Sequence, residues 1–368
     1  MRTKIQKQKP FDKKIFVLAM LLLLSGLVLL SSASAVFSFE RHGHNYYFTL
    51  RQALFIGIGL VAMLVVSRIN YLFFKRSALI ILGITALALV AVLIPGIGFK
   101  AGEARSWIEF GPFFFQPSEF VKLAVIFYLA AWFDTKKEFT KSFFHGVLPS
   151  LGVVGAILAL IFLQPDFGSA TAIVLIAFSV YFSAGVKLTH LGTLLLAGLS
   201  VAWLAISIAP YRLARIKAFL DPGSDPLGIG YHINQALLAI GSGGLWGLGF
   251  GQSRQKFAFL PEPIGDSVFA IGAEELGFVR IVCLLVLYLL FTIWGYRIAH
   301  KAQDTFGRLV ASGITSWILI QSIFNIGAMV GLLPLTGIPL PFISYGGSSI
   351  LAVSIGVGVL LNISRETK

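Results

Sequence analysis

The feature that most constrains this chain is its series of apolar runs. Each is close to twenty residues long and is bounded by charge or by a Pro/Gly cluster. Roughly 20 mostly apolar residues is the length that carries an α-helix across the hydrocarbon of a bilayer. In that solvent every backbone N–H and C=O must be satisfied within the protein, which leaves helices or a closed barrel; runs this long specify helices. The runs place about ten spans near 15–37, 51–67, 77–95, 118–133, 146–163, 168–185, 190–209, 277–296, 308–330 and 345–363. The expected fold is therefore all-α: a polytopic integral membrane protein forming a single transmembrane domain over 1–368. Only 12% of the residues are charged, too few to clothe a soluble domain.

The basic N-terminus, apolar run and Ser31–Ala35 stretch imitate a signal peptide. The apolar run is longer than the usual ~7–15 residue core of one, so a retained first helix is expected. The net charge of +13 comes from short basic clusters between spans, which is the pattern of orientation signals and contacts to anionic membrane lipid, not of a nucleic-acid interface. With the N-terminus cytoplasmic, the inner loops hold Arg68, Lys75 and Arg76, then Lys136, Lys137 and Lys141, then Lys187, then Arg297, Lys301 and Arg308. An even number of spans puts both termini inside. Four segments then lie outside: about 96–117, 164–167, a large loop at 210–276 between spans 7 and 8, and 331–344. The one cysteine, Cys283, excludes an intramolecular disulfide.

The outer segments hold residues that an anchor does not need. In the first, Trp107 and Phe113–Phe115 suit a helix lying in the interface. Glu119 and Lys122 follow, three apart on one helical face at membrane depth, where ionisable residues are costly. Two readings stand: a self-neutralising pair at a helix end, or a functional pair. Asp166 is either the N-cap of the helix starting near Gly168 or a cation ligand. The large loop carries Tyr211-Arg212-Leu213-Ala214-Arg215-Ile216-Lys217, a Gly-rich run from 241 to 251 suited to close backbone approach, and Arg254 and Lys256. It ends in Leu260-Pro261-Glu262-Pro263-Ile264-Gly265-Asp266, with Glu274 eight residues further on. Such a loop suits a diphosphate substrate, with cations holding phosphate and a carboxylate taking a proton. A purely structural loop is the competing reading, with Asp266 an N-cap. The last segment, Pro334 to Ser349, has the Pro/Gly density of a broken, re-entrant backbone. Such backbone must be buried or line a cavity, here flanked by Ser344, Ser348 and Ser349. Gln321 and Asn325 in the preceding span should face the bundle interior.

Six motifs in one order resemble the SEDS family (shape, elongation, division and sporulation), whose branches include FtsW and RodA. They are Ala104-Arg105-Ser106-Trp107-Ile108, Gln116-Pro117-Ser118-Glu119 with Lys122, Gln164-Pro165-Asp166, Leu260-Pro261-Glu262 to Asp266, Glu274-Glu275-Leu276-Gly277, and Pro339 to Ser349. The resemblance implies a ten-span peptidoglycan glycosyltransferase polymerising lipid II outside the cytoplasmic membrane, assisted by a divalent cation (Mg or Mn) and no organic cofactor. It also implies a class B penicillin-binding transpeptidase as partner, alongside other divisome components. By the same resemblance Asp266 is the essential aspartate and candidate general base. Arg105, Glu119 and Lys122, with Arg212, Lys256 and the three serines, are the candidate substrate contacts, and Asp166 is the candidate metal ligand. Ser31–Ser34 and the Pro-Ile-Gly-Asp-Ser form look closer to the FtsW branch, which implies septal synthesis in cell division over elongation. Two departures stand out: Gly265-Asp266-Ser267 where many members have Thr-Asp-Phe, and Arg280 where many have glycine. A lipid II flippase would use the same polar cavity, and a pure scaffold would leave Asp266, Glu119 and Lys122 without a role.

Overall fold

The computed structural model describes residues 10–367 except 102, 103, 112, 209, 222, 224–227 and 258. The first apolar run becomes α1 (Lys13–Ala33), opened by Asp12, whose side chain accepts from the Lys14 N–H. It stops short of the expected end at 37. Ser34 separates it from α2 (Ala35–His42), which Gly43 closes in the left-handed conformation that costs glycine least. Two apolar helices follow, α3 (Tyr47–Val66) and α4 (Leu72–Leu93).

The first outer segment is not the interfacial helix expected from its aromatics. It is a three-stranded antiparallel sheet of β1 (Gly98–Ala101), β2 (Ala104–Phe110) and β3 (Phe113–Phe115), with Phe99 opposite Trp107 and Ile108 opposite Phe115. The alternation in β2 explains it: Ser106 and Ile108 are buried while Trp107 and Glu109 face outward, a period of two that a helix cannot use.

Next come α5 (Pro117–Thr135), with proline at its first turn, α6 (Leu148–Phe162), α7 (Phe167–Ser183) and α8 (Leu188–Ile208). The large loop holds α9 (Pro210–Leu220) and α10 (Ile229–Gly243). It leads into α11 (Val268–Lys301), and α12 (Thr305–Met329) and α13 (Gly347–Arg365) complete the chain. Among the described residues, eight helices are long and apolar enough to cross a membrane: α1, α3, α4, α6 extended back to Phe143, α8, α11, α12 and α13. The other two expected spans coincide with α5, which holds Glu119, Lys122 and Asp134, and α7, which has 17 residues. α12 and α13 form the centre and are buried over most of their length, whereas α8 buries only Leu191.

The two sets of loops gather at opposite ends. At one end Lys75 and Lys137 both pair with Asp134, Asn362 accepts from the Tyr71 N–H, and Ser364 accepts from the Asp12 N–H. At the other end Gln116 donates from its backbone to Ser348, and Gln164 donates to the Leu89 carbonyl. The basic clusters that set the expected orientation therefore share a face with both termini.

The large loop is tied down by close backbone approach. α11 breaks at Gly277 (φ 77°), so the expected span beginning at 277 is its second half. The first half, Val268 to Glu275, is buried. A Cβ on Gly247 would stand 2.1 Å from the Glu275 carbonyl oxygen, and one on Gly243 2.3 Å from that of Ala273. The Gly-rich run is what lets two backbones meet. Arg280 lies at this break: its guanidinium donates to the carbonyls of Trp246 (2.7 Å) and Leu276 (3.2 Å).

Candidate active site

Asp266 sits on a knot of backbone just before α11. Gly265 and Ser267 both donate N–H groups to the Glu262 carbonyl, and Glu262 itself has a positive φ of 49°. The re-entrant segment braces the knot from the other side. The Ser344 hydroxyl donates to the Gly265 carbonyl at 2.7 Å, and the Tyr345 N–H to that of Ile264 at 2.9 Å. From α12, the Asn325 amide donates to the carbonyls of both Asp266 (3.1 Å) and Ile338 (3.0 Å). The backbone at Asp266 is therefore held on three sides, as a group that must act at a fixed place needs.

Its carboxylate is left free for chemistry. Ser267, not Asp266, occupies the cap position of α11, and the Asp266 carboxylate has no hydrogen-bond partner among the described residues. Burial, then the neighbouring Glu262 charge, pushes its pKa up to about 7, against the pull of Arg215 on α9. Such a group is half ionised at neutral pH, which is where a general base works best. Arg215 is anchored by a bond to the Leu335 carbonyl at 3.3 Å. Ser267 also gives the departure Gly265-Asp266-Ser267 a structural meaning. Its hydroxyl donates to the Pro261 carbonyl and so accepts from His232 of α10 at 2.8 Å. Burial and Arg215 push the His232 pKa down to about 4, so the imidazole is neutral and serves as a brace.

The other expected residues divide into several groups. Glu119 and Lys122 form a buried ion pair at 2.6 Å, with the ammonium 5.9 Å from the Trp317 ring of α12. Arg105 lies half-buried on β2, where its N–H donates to the Gln164 carbonyl. A Cβ on Gly168 would stand 2.4 Å from the Thr336 carbonyl, and Gly337 faces the Asp266 carboxylate. Residues 336–338 thus separate the start of α7 from Asp266. The serines are placed differently from the cavity-lining role expected of them. Ser344 braces the knot, Ser348 accepts from the Gln116 N–H, and Ser349 is buried beside it at the start of α13.

Lys256, expected to hold substrate phosphate, is instead turned into the protein. Its ammonium donates to the Gly251 carbonyl (2.6 Å), Glu275 (3.0 Å) and Ser32 (3.1 Å), which uses all three of its N–H bonds inside the protein. Glu274 is occupied likewise, by the Ser253 hydroxyl and the N–H groups of Arg254 and Gln255. The Arg212 side chain lies outside the described residues. Arg215, one turn further along α9, is the basic residue of that stretch seen at Asp266. In the sequence Arg215 is one basic residue of a run with nothing to mark it out, and His232 is a lone histidine that only packing brings to Ser267.

Asp166 is the N-cap of α7. One carboxylate oxygen accepts from the Ser169 N–H at 2.9 Å and the other from its hydroxyl at 2.7 Å. A divalent cation takes about six oxygen ligands. Among the described residues no three His, Cys, Asp or Glu side chains gather to supply them. Because asparagine caps a helix as well as aspartate does, Asp166→Asn is expected to keep both melting temperature and activity, while Asp166→Ala costs about 1 kcal/mol of stability. Thermal unfolding in detergent and a Mg/Mn titration of activity check this. An asparagine variant that folds but loses activity would show that the carboxylate charge itself is needed.

The comparisons with known proteins agree along the chain. A family model covering FtsW, RodA and SpoVE, described as a cell cycle protein, matches residues 12–368. Stage V sporulation protein E of Bacillus subtilis is 44% identical over 357 residues, covering 97% of this chain and 98% of the relative. A probable peptidoglycan glycosyltransferase FtsW of Trichlorobacter lovleyi is 40% identical, covering 98% and 96%. Among solved structures, a chain from a peptidoglycan synthase complex that coordinates polymerization and crosslinking superposes with a TM-score of 0.79 at 29% identity, covering 96% of this chain and 98% of that one. The crystal structure of the rod shape determining protein RodA of Thermus thermophilus gives 0.71 at 28%, covering 97% of each.

Proposed function

The chain belongs to the FtsW, RodA and SpoVE family of cell cycle proteins, and from that premise we propose that it is a peptidoglycan glycosyltransferase polymerising lipid II at the outer face of the cytoplasmic membrane. The observation that carries the mechanism is the Asp266 carboxylate: without a hydrogen-bond partner among the described residues, fixed by its backbone and poised to titrate near neutrality beside Arg215.

The reaction joins two lipid-linked disaccharides. The acceptor's GlcNAc 4-hydroxyl gives its proton to Asp266 as its oxygen attacks C1 of the donor's MurNAc. The bond from C1 to the diphosphate breaks with its electron pair leaving on undecaprenyl diphosphate. One displacement turns the α-linked donor into a β-glycoside, so the reaction inverts. Charge growing on the leaving diphosphate is met by Arg105, Arg215 and the Lys122 end of the ion pair; Lys256, spent on protein acceptors, is not among them.

The distribution of lysine and arginine supports ten spans, with α5 and α7 among them, and both termini in the cytoplasm. The kinship with relatives named FtsW supports a role at the division septum, and the superposition on a synthase-complex chain supports a class B penicillin-binding transpeptidase as partner. The test is reconstitution in liposomes with lipid II and the transpeptidase. Glycan strands are expected; translocation of lipid II without polymer would replace this reading with the flippase.

A further inference from the structure

One face of α12 carries polar groups that no described residue satisfies. Both amide atoms of Gln321, the Asn325 Oδ1 and the Trp317 Nε1 are buried without a hydrogen-bond partner among the described residues, and so is the Glu119 Oε2 of the ion pair. Gln321 and Trp317 have no exposed surface at all. The three α12 residues are spaced by four, so they form one stripe up the helix. It runs about 12 Å over eight residues at the usual helical rise.

Both ends of the stripe are defined. At the top, the other amide atom of Asn325 clamps the carbonyls of Asp266 and Ile338. At the bottom, the Trp317 ring lies 5.9 Å from the Lys122 ammonium, which is bonded to Glu119. Gln321 stands between them, one turn from each. An amide sealed from solvent with neither donor nor acceptor used costs several kcal/mol in hydrocarbon-like surroundings. Buried polar groups of this kind are met by internal water, which makes about three hydrogen bonds per molecule. Here four such atoms, on three residues, lie on consecutive turns of α12.

We propose that Gln321 is a positioning residue: through buried water it joins the Glu119–Lys122 pair to the Asn325 clamp that holds Asp266. Water is the ligand of this site, and the stripe is its wall. The link sets Asn325, and with it the backbone of the general base, relative to the buried Glu119–Lys122 pair. The inference rests on the polymerase reading for its consequence and on geometry alone for the water.

Gln321→Met tests it, because the variant keeps the length of the side chain and removes the amide. The Gln321 amide has no protein partner among the described residues, and the cost of burying it offsets its bonds to water, so the melting temperature should change little. Polymerisation should fall at least about tenfold in kcat with KM little changed, since the change misplaces a catalytic group without touching bound substrate. Unchanged kcat, or a lowered melting temperature that accounts for the loss, would overturn the proposal. A high-resolution map of the wild-type protein is an arm that needs no activity: density for water within reach of both Gln321 amide atoms is expected, and its absence would sink the water link even if the protein polymerises. Failure of the wild type to polymerise, with the water present, would count against the polymerase reading alone.

Discussion

Asp266→Asn is expected to lower the rate of lipid II polymerisation by a hundredfold or more, the usual yield of a positioned general base. The amide keeps the shape of the side chain, and the backbone bonds from Asn325 and Ser344 do not involve the carboxylate, so the site stays assembled. In the wild type the rate should climb with pH. With a pKa near 7, about one carboxyl in eleven is ionised at pH 6 and about ten in eleven at pH 8, roughly a tenfold rise. The sign for stability is opposite. The folded protein holds this proton more tightly than the unfolded chain does, so the stabilisation is complete below the unfolded pKa and is lost as pH rises through about 7. Asparagine removes that penalty, and the variant should melt no lower than the wild type at pH 8. Single-turnover polymerisation across pH, paired with thermal unfolding, checks both. A variant that melts normally and still polymerises at the wild-type rate would remove Asp266 from the role of base.

Much of this was legible in the residues, for a physical reason. Apolar length is a local property, so the helices could be placed from composition alone; Asp266 was singled out by the family resemblance, since its own neighbourhood reads equally well as an N-cap. Pairings across the chain were not legible. Lys256 looked like a phosphate contact because its loop is basic; nothing in its neighbourhood shows Ser32, 224 positions away, or Glu275 waiting for it. The sheet was missed because Trp107 and Phe113–Phe115 satisfy an interfacial helix as well as a strand, and the alternation that decides between them is only a few residues long. Arg280 was unreadable for a related reason. It serves one carbonyl at the Gly277 break and one on the glycine-rich segment packed against it, and a glycine inside an apolar run does not announce a positive φ.

The Glu119–Lys122 pair shows how much rests on one contact, and Lys122→Met is expected to be the most destabilising change in the site. Both side chains are almost wholly buried, and the second Glu119 oxygen already has no partner among the described residues. Removing the ammonium leaves a carboxylate with no counter-charge in a low-dielectric interior, a loss of about 3–5 kcal/mol. Thermal unfolding in detergent should show it as a large drop in melting temperature. The double variant Glu119→Gln with Lys122→Met removes both charges and should recover most of that loss, since an uncharged pair of similar volume escapes the desolvation cost. Activity then separates the two readings of the pair. If it only neutralises itself at a helix end, the recovered double variant polymerises lipid II. If the ammonium faces the leaving diphosphate, the double variant folds and stays inactive, and the second outcome is the one expected. An active double variant would confine Glu119 and Lys122 to the architecture and leave Arg105 and Arg215 to meet the charge.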